Sequence, residues 1–345
     1  MSFSAKEYYE NDDPVFAAHY QSLLLMDIVQ NRNVNSHKLL AGSGLFYDDV
    51  LNGEKELSAQ QLLRLVSNAQ MQYKQPDLSF RWGHTLWPGH YDCFSQLLKN
   101  TYSLRQTLSI IKIYRHQLSP LITPIITEDK NYCYIQWRDA IGLGDNKRFI
   151  IEAWMTGLAS LCHWRSKQKL PWHFGFSGSQ AKYQEQYQVN LGNQSYFNLG
   201  IDVMAIDKRY LNQNWQDSAS KTAYNIALRQ CELQQNNKLG FIEHVFDHLL
   251  LNIQQPLSLD QVACNYQLSS ATFKRKLKKH HTSYQQLQDQ TRLSTALYLF
   301  QCNKYTNMEV AEYLNFSDLT NFRRAFKRWS GRTPSNLKQD LLNPA

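Results

Sequence analysis

Several common signals are missing from this sequence of 345 residues. Its six cysteines are scattered and form no Cys-x-x-Cys pair, so neither a zinc site nor a disulfide framework is predicted. No apolar run approaches the roughly 20 residues that a membrane-spanning helix needs. The N-terminus, MSFSAKEYYENDD, is polar and acidic and has no signal-peptide pattern. Since scattered thiols fit a reducing compartment, we expect a soluble cytoplasmic protein with no membrane partner.

Catalytic and metal-binding motifs are missing as well. The stretch GFSGS at Gly175 is not the Gly-x-Ser-x-Gly of serine hydrolases, and GSGLF at Gly42 lacks the pattern that cradles phosphates. His244 and His248 have the i, i+4 spacing of metal ligands, but Val245 stands where a zinc protease carries glutamate. The sequence therefore predicts no catalytic residue, no bound metal and no cofactor, and it favours a protein that is not an enzyme.

Composition and charge favour two folded domains, the second of them basic. A hydrophobic content of 43% and an aromatic content of 13% are typical of packed proteins, and the length suffices for two cores. Residues 240–345 hold 13 Lys and Arg against 8 Asp and Glu, which is most of the net charge of +8. A basic excess favours nucleic acid or another anionic partner. The polar QQNNK before Leu239 predicts a boundary between domains 1–238 and 239–345.

Hydrophobic periodicity predicts an α+β, helix-rich fold. A mixed α/β domain comes first, and an all-α domain follows it. Helical spacing begins near Val15, Ala59, Leu104 and Arg148. Strand-like alternation is shorter and occurs in NYCYIQW, WHFGFSG and IDVMAI. After residue 240 only helical patterns remain.

A basic heptapeptide occurs twice near the C-terminus. FKRKLKK covers Phe273–Lys279 and FRRAFKR covers Phe322–Arg328, 49 residues further on. Upstream of each, a Val-Ala pair opens a helical pattern, and a serine follows the alanine by six residues. Because serine is a good N-cap, Ser269 and Ser317 are predicted to start second helices. The pattern predicts helix-turn-helix units at about 257–279 and 306–328.

Each predicted second helix has an apolar and a basic face. Phe273 and Leu277 share the inner face in the first unit, and Phe322 and Phe326 share it in the second. A basic helix of this kind fits a major groove about 12 Å wide. The helix predicted for Ser283–Gln301 would span roughly 28 Å between the units, close to the roughly 34 Å of one DNA turn. Two successive grooves on one face of double-stranded DNA could then be read.

Residues 257–342 resemble the DNA-binding domain of the AraC/XylS family of bacterial transcription regulators. The resemblance rests on LSLDQVACNYQLSSATFKRKLK, on Arg292, and on EVAEYLNFSDLTNFRRAFKRWSGRTPS with its Gly331 and Pro334. The family usually has glycine where this chain has Asn315 before the phenylalanine of the second turn. Asparagine tolerates a left-handed backbone better than most residues, so we expect the turn to survive.

The resemblance implies roles for residues on both basic helices. By position it implies base reading by two groups of three residues: Ala271, Lys274 and Arg275, and Leu319, Thr320 and Arg324. The whole predicted DNA surface comprises Ser270, Ala271, Lys274, Arg275, Lys278, Lys279, Leu319, Thr320, Arg323, Arg324, Lys327 and Arg328. The family regulates promoters, often in response to a small molecule, so contact with RNA polymerase and a homodimer are further expectations.

The N-terminal half resembles the long effector-binding domain of the branch that includes ornithine-catabolism regulators. The matching stretches begin at Leu78 and Phe197. One of them gathers aromatic and titratable side chains that are candidates for an effector pocket: Arg81, Trp82, His84, Trp87, His90 and Tyr91. A packed turn between helices is the alternative interpretation. For the protein as a whole, the alternatives are a regulator controlled by a protein partner or by dimerisation without a small ligand, and an enzyme with an appended DNA-binding domain.

Overall fold

The computed structural model describes residues 8–32, 34–215, 220–234 and 238–337. The N-terminal part alternates strands and helices. Its strands are β1 (Tyr8–Tyr9), β2 (Pro14–Ala17), β3 (Glu56–Ser58), β4 (Ile122–Glu128), β5 (Tyr132–Asp139), β6 (His173–Gly175), β7 (Ser195–Tyr196) and β8 (Val203–Asp207). Its helices are α1 (Gln21–Gln30), α2 (Ser36–Leu40), α3 (Tyr47–Leu51), α4 (Ala59–Gln72), α5 (Leu78–Leu86), α6 (Cys93–Lys99), α7 (Leu104–Ile113), α8 (Arg115–Leu118), α9 (Lys147–Ser166), α10 (Gln184–Asn190) and α11 (Lys221–Leu233).

The C-terminal part is helical after a two-residue strand, β9 (Leu239–Gly240), which pairs in parallel with β1. The helices that follow are α12 (Phe241–Leu251), α13 (Leu259–Asn265), α14 (Ser270–Lys279), α15 (Tyr284–Gln301), α16 (Asn307–Tyr313) and α17 (Leu319–Ser330). Within the described ranges, none of the helices has the length and apolar character that crossing a membrane would require.

The main sheet lies between the two parts of the molecule. Its strand order is β4-β5-β8-β6-β7, antiparallel except for the β6–β7 pair. Successive side chains of a strand point to opposite faces, and both faces of β8 are buried. Met204 and Ile206 belong to the N-terminal core, whereas Val203 and Ala205 pack with the second helix-turn-helix unit. This explains why β8 reads as a continuous apolar run.

Each helix-turn-helix unit has its own apolar centre. In the first unit, Phe241 of α12 packs with Phe273 and Leu277 of α14. In the second unit, Phe322 and Phe326 of α17 pack on α15, and this cluster continues onto the sheet. The first unit therefore has a core of its own, and the second shares its core with the N-terminal part.

Most of the predicted elements are confirmed. α4, α7 and α9 begin at or within one residue of the predicted starts, and β5, β6 and β8 occupy the three alternating stretches. The helix predicted from near Val15 is wrong, because Pro14–Ala17 forms strand β2 paired with β3 and the helix starts at Gln21. Strand β4, with the sequence ITPIITE, was missed. β2 depends on β3, about 40 residues further along the chain, whereas β4 pairs with the neighbouring strand β5 and its own sequence shows no regular alternation.

A buried histidine predicts acid sensitivity of the fold. His116 of α8 is 7% exposed, and its ring lies edge-on to Tyr9 at 5.2 Å. Burial, together with the charges of Arg115 and Lys238, lowers the pKa of His116 from 6.5 to about 4. The unfolded chain takes up this proton near pH 6.5 and the folded chain does not. The stability due to neutral His116 is therefore complete above pH 6.5 and is lost as the pH falls toward 4.

In the parent, the free energy of unfolding should decrease as the pH falls from 6.5 to 4. We expect His116→Gln to make this decrease smaller by up to roughly 3 kcal/mol, since one pKa unit corresponds to about 1.4 kcal/mol. Urea unfolding at a series of pH values measures this change. His37→Gln, at an exposed position, is the matched control and should leave the slope as in the parent. A parent-like slope in His116→Gln would show that this histidine does not carry the acid sensitivity.

Candidate DNA interface and the junction of the two domains

The first helix-turn-helix unit is formed by α13 and α14. Between the two helices, Gln267 takes a left-handed backbone with φ of +57°. Ser269 then caps α14, and its side chain accepts a hydrogen bond from the Thr272 amide at 3.2 Å. The cap predicted at Ser269 is therefore confirmed.

The second unit, formed by α16 and α17, has a longer turn. Asn315 has φ of +60°, as expected for a residue that replaces glycine there. The cap predicted at Ser317 is wrong, because Asp318 caps α17 and accepts from the Asn321 amide at 2.7 Å. The Val-Ala pairs are 48 residues apart, whereas the basic heptapeptides are 49 apart. One extra residue in the second turn accounts for this difference and moves the cap.

The first helix of each unit begins with a capping signal that helical periodicity alone does not reveal. α13 follows a capping box of Ser258 and Gln261, and α16 follows one of Thr306 and Glu309. In each box the side chains of the first and fourth residues exchange hydrogen bonds with the backbone amides of the other. The S/T-x-x-E/Q spacing places both helix starts three residues before the Val-Ala pairs, so the Val-Ala pairs lie inside the helices.

The second helices, α14 and α17, have the predicted two-sided character. Phe273, Leu277, Phe322 and Phe326 are at most 1% exposed. On the outer faces, Ser270 and Leu319 are half-buried, and the other predicted DNA-contacting residues are exposed: Ala271, Lys274, Arg275, Lys278, Lys279, Thr320, Arg323, Arg324, Lys327 and Arg328. The connecting helix α15 starts after Ser283 and ends at Gln301, as predicted.

Two of the predicted DNA-contacting cations have protein partners. Arg328 donates to Asp289 of α15 at 3.0 Å. Lys279 lies 2.6 Å from Asp12 and 3.1 Å from Glu10, in the segment after β1. The other six make no side-chain hydrogen bond or ion pair with any residue that the structure describes: Lys274, Arg275, Lys278, Arg323, Arg324 and Lys327.

Acidic residues of the segment after β1 form ion pairs with the C-terminal half of α14. Glu10 forms ion pairs with Lys276 at 2.9 Å and with Lys279, and the Tyr8 hydroxyl lies 2.7 Å from Lys276. Burial disfavours the charge on Glu10, but the two lysines outweigh it and hold its pKa below the ordinary value of 4.5. The hydrogen bond from Lys279 lowers the pKa of Asp12 in the same way. This segment therefore stays negative at neutral pH and neutralises part of α14.

The end of each second helix rests on a glycine of the N-terminal part. A Cβ atom on Gly142 would lie 2.2 Å from the backbone oxygen of His280, at the end of α14. A Cβ on Gly200 would lie 2.5 Å from the Cα of Ser330, the last residue of α17. Both glycines also have positive φ, which side chains rarely adopt. The backbones of the two parts thus come into close contact at the end of the second helix of each helix-turn-helix unit.

Polar contacts surround these points. Arg332, just after α17, donates to the backbone oxygens of Asn198 and Phe197 at 2.9 and 3.1 Å. Lys304, before α16, lies 3.0 Å from Asp129 in the turn between β4 and β5. The junction is thus fixed by packing and by charge-assisted hydrogen bonds together.

A cavity of about 460 Å³ lies at the same junction. The sheet contributes Ile125, Arg138 and Val203, and the helices contribute Phe246, Leu297 and Tyr313, among others. Apart from the ion pair of Arg138 with Asp247, its side chains are uncharged and mostly apolar. Because its walls come from residues up to 188 positions apart, only the tertiary structure brings them together.

The effector residues predicted from sequence fall into two groups. Trp82, Trp87 and Tyr91 are buried in the N-terminal core, where the Trp82 indole donates to the Gln21 backbone oxygen at 3.1 Å. The other three are exposed: Arg81, His84 and His90. Arg81 pairs with Asp77, and His84 contacts Ser160 and Asn190. Their role in effector binding remains a prediction.

The paired histidines predicted from sequence to carry no metal have side-chain partners in the C-terminal part. His244 contacts the Tyr266 hydroxyl at 2.6 Å, and His248 contacts the Asn265 amide at 3.1 Å. No cluster of three or more potential metal ligands occurs among residues 8–32, 34–215, 220–234 and 238–337.

Two family profiles match the chain. Residues 34–214 match the arabinose-binding domain of AraC transcription regulators, N-terminal, and residues 248–340 match a helix-turn-helix domain. Together they define a DNA-binding transcription regulator with an N-terminal effector-binding domain, rather than an enzyme. The chain belongs to the AraC family of transcription regulators.

One curated relative and two solved structures are similar to this chain. The chain is 22% identical over 324 residues to the ornithine utilization regulator of Pseudomonas aeruginosa, covering 91% of this chain and 94% of that protein. The crystal structure of the transcriptional regulator CdpR from Pseudomonas aeruginosa gives a TM-score of 0.45 at 14% identity, over 92% of this chain and 97% of that one. A DNA-binding transcriptional dual regulator from Escherichia coli K-12 gives 0.27 at 25% identity, over 29% and 89%. These scores are low, and the assignment rests on the sequence profiles.

We expect Gly200→Ala to destabilise the protein more than Gly331→Ala. Both glycines have φ of +73°, so alanine is strained equally at either position, but no atom lies within 4 Å of a Cβ on Gly331. The added clash with Ser330 should cost about 1–3 kcal/mol, the usual range for overpacking. Urea unfolding of the two variants measures the difference. Equal losses would show that the contact at Gly200 does not stabilise the junction.

Proposed function

We propose that α14 and α17 enter two successive major grooves of promoter DNA. The observation that carries this proposal is the pair of exposed basic faces, each with three cations that lack a partner among the described residues. A groove of about 12 Å admits one such helix. The 18 residues of α15 span about 27 Å, which suits units that meet grooves about one DNA turn apart.

The two faces carry residues that contact bases and residues that contact phosphates. Arg275 and Arg324 read bases, since an arginine can donate two hydrogen bonds to guanine. Ala271 and Leu319 make apolar contacts, for example with a thymine methyl group, and Lys274 and Thr320 complete the reading surface. Lys278, Arg323 and Lys327 bind phosphates. Ser270 lies beside the first reading surface, while Lys279 and Arg328 reach phosphates only after leaving their present partners.

The N-terminal domain, residues 1–238, controls this activity by binding a small molecule. The match of residues 34–214 to an effector-binding domain supports this role. A relative named for ornithine utilization makes amino acids one class of candidate effector. The DNA-binding domain comprises residues 239–345. The protein acts in the bacterial cytoplasm, where promoter DNA and RNA polymerase are both present, and contact with the polymerase completes the proposed function.

Control through self-association is a second candidate. Ile226 and Leu233 of α11 lie seven residues apart and are 55% and 89% exposed. Apolar residues spaced by seven lie on one side of a helix and suit a helix-to-helix dimer contact. A monomer at working concentrations, measured by light scattering with and without DNA, would remove this candidate.

We expect Arg275→Ala and Arg324→Ala to reduce discrimination between the operator and random DNA by about 1–3 kcal/mol each, the value of a bidentate guanine contact. Lys278→Ala and Lys327→Ala are the matched controls on the same helices, and they should weaken both DNAs alike. Fluorescence anisotropy with each DNA measures the ratios after the bound promoters have been mapped. Unchanged ratios in Arg275→Ala and Arg324→Ala, at parent-like melting temperature, would contradict base reading by these helices.

We expect a steep dependence of DNA affinity on salt. If about six cations contact phosphates, the slope of log affinity against log salt should be about −5, and affinity should fall about a thousandfold between about 50 and 200 mM salt. Each of Lys278→Ala and Lys327→Ala should reduce the slope by about one. A nearly flat response in the parent would argue against DNA as the partner.

A further inference from the structure

The cavity at the junction has one wall from each domain. The outer face of β4 and β5 supplies Ile125 and Gln136, and α12 and α15 supply Leu250 and Leu297. Its volume of about 460 Å³ lies within the roughly 300–1,000 Å³ of small-molecule sites. A ligand in it would contact both the effector domain and the DNA-binding domain.

A single buried cation lines this cavity. The side chain of Arg138, on β5, is 7% exposed, and its guanidinium carbon lies 3.8 Å from the ring centre of Phe246. Its Nη2 donates to Asp247 of α12 at 3.0 Å, across the domain junction. Asp247 itself is 44% exposed, so its charge is partly screened by solvent.

The charge of Arg138 is only partly satisfied. Its Nε is buried and has no hydrogen-bond partner among the residues that the structure describes. A buried donor without a partner is costly, and a charged one more so. A carboxylate is the acceptor that matches a guanidinium best, since both are planar and their hydrogen bonds are charge-assisted.

We propose that this cavity binds a small monocarboxylate with an apolar body. The carboxylate accepts from the guanidinium of Arg138 and competes with Asp247 for it, while the body lies against the aliphatic and aromatic walls. This deepens the proposed function, on which it rests, by giving the effector a site and a chemical class. It differs from the site predicted from sequence around Arg81.

Such a ligand would act directly on the domain junction. Asp247 lies on α12, whose Phe241 packs in the core of the first helix-turn-helix unit, and the cavity also contacts α15 and α16. Replacing the Arg138–Asp247 pair with an Arg138–ligand pair removes one contact between the domains. The ligand can therefore shift the arrangement of the two units by as much as its affinity differs between the two arrangements.

The test measures binding of matched probes to the full chain by titration calorimetry. We expect octanoate to bind at least tenfold more tightly than 1-octanol, which has the same chain without the charge. Arg138→Gln should remove this preference. Asp247→Asn should strengthen octanoate binding at least threefold, because it removes the competing carboxylate and leaves the arginine. Arg209→Gln, which breaks the exposed pair of Arg209 with Asp207, is the matched control and should leave both affinities unchanged.

The opposite signs expected for Arg138→Gln and Asp247→Asn separate a binding role from simple loss of folding, since both variants break the same ion pair. Equal affinity for octanoate and 1-octanol, absence of octanoate binding at millimolar concentration, or weaker binding in Asp247→Asn would overturn the inference. Loss of octanoate binding in Arg81→Gln but not in Arg138→Gln would place the site in the sequence-predicted group instead.

A separate measurement distinguishes failure of this inference from failure of the proposed function. Promoter binding by the ligand-free parent is measured by anisotropy, and then again with saturating octanoate. Promoter binding without any octanoate effect overturns the effector assignment and leaves DNA reading intact. Octanoate binding to a chain that shows no promoter preference contradicts the proposed function while leaving the ligand site. An octanoate-dependent change of at least threefold in promoter affinity, lost in Arg138→Gln, supports both.

Discussion

The arrangement of this molecule depends on the direct backbone contact between its two domains at Gly142 and Gly200. Each glycine allows the end of one DNA-binding helix to approach closer than any side chain would permit. The N-terminal domain therefore holds α14 and α17 at the same time. The distance between these two helices therefore depends on the N-terminal domain as well as on the length of the connecting helix α15.

The same junction explains the burial of the main sheet. Val203 and Ala205 face the second helix-turn-helix unit, so part of that unit's core belongs to the effector domain. The first unit has a core of its own around Phe241 and Phe273, and it is held more by charge, through Glu10 and Asp12 on Lys276 and Lys279. The pair of Lys276 with Glu10 is largely shielded from solvent, with side chains 16% and 27% exposed, and strand β9 also joins the first unit to β1. Apolar burial and charge therefore contribute in different proportions to the attachment of the two units.

Four arginines of this chain lie in different surroundings. Arg275 and Arg324 lie on exposed faces and make no side-chain hydrogen bond or ion pair with a described residue, while Arg328 pairs with Asp289 and Arg138 is buried at the junction. Residue type is the same in all four cases, and only the surroundings decide whether the guanidinium is exposed, paired with a carboxylate at the surface or buried at the junction. Arg138 connects the two domains, because it donates a hydrogen bond to Asp247 of α12 across the junction.

Local sequence determined the helical units and their exposed chemistry. Spacing alone placed Phe273 and Phe322 inside and the basic residues outside, because amphipathic period and capping act within a few residues along the chain. Local sequence did not locate the cap of α17, because the second turn is one residue longer and Asp318 replaces Ser317 as the cap. It also did not reveal the strand Pro14–Ala17, because that strand depends on pairing with the distant β3. Only the tertiary structure decided that Lys279 is paired, that Trp82 and Tyr91 lie in the core, and that Arg138 and Asp247 meet beside a cavity. These features join residues far apart in sequence, and no local period or spacing records which distant segments will pack together.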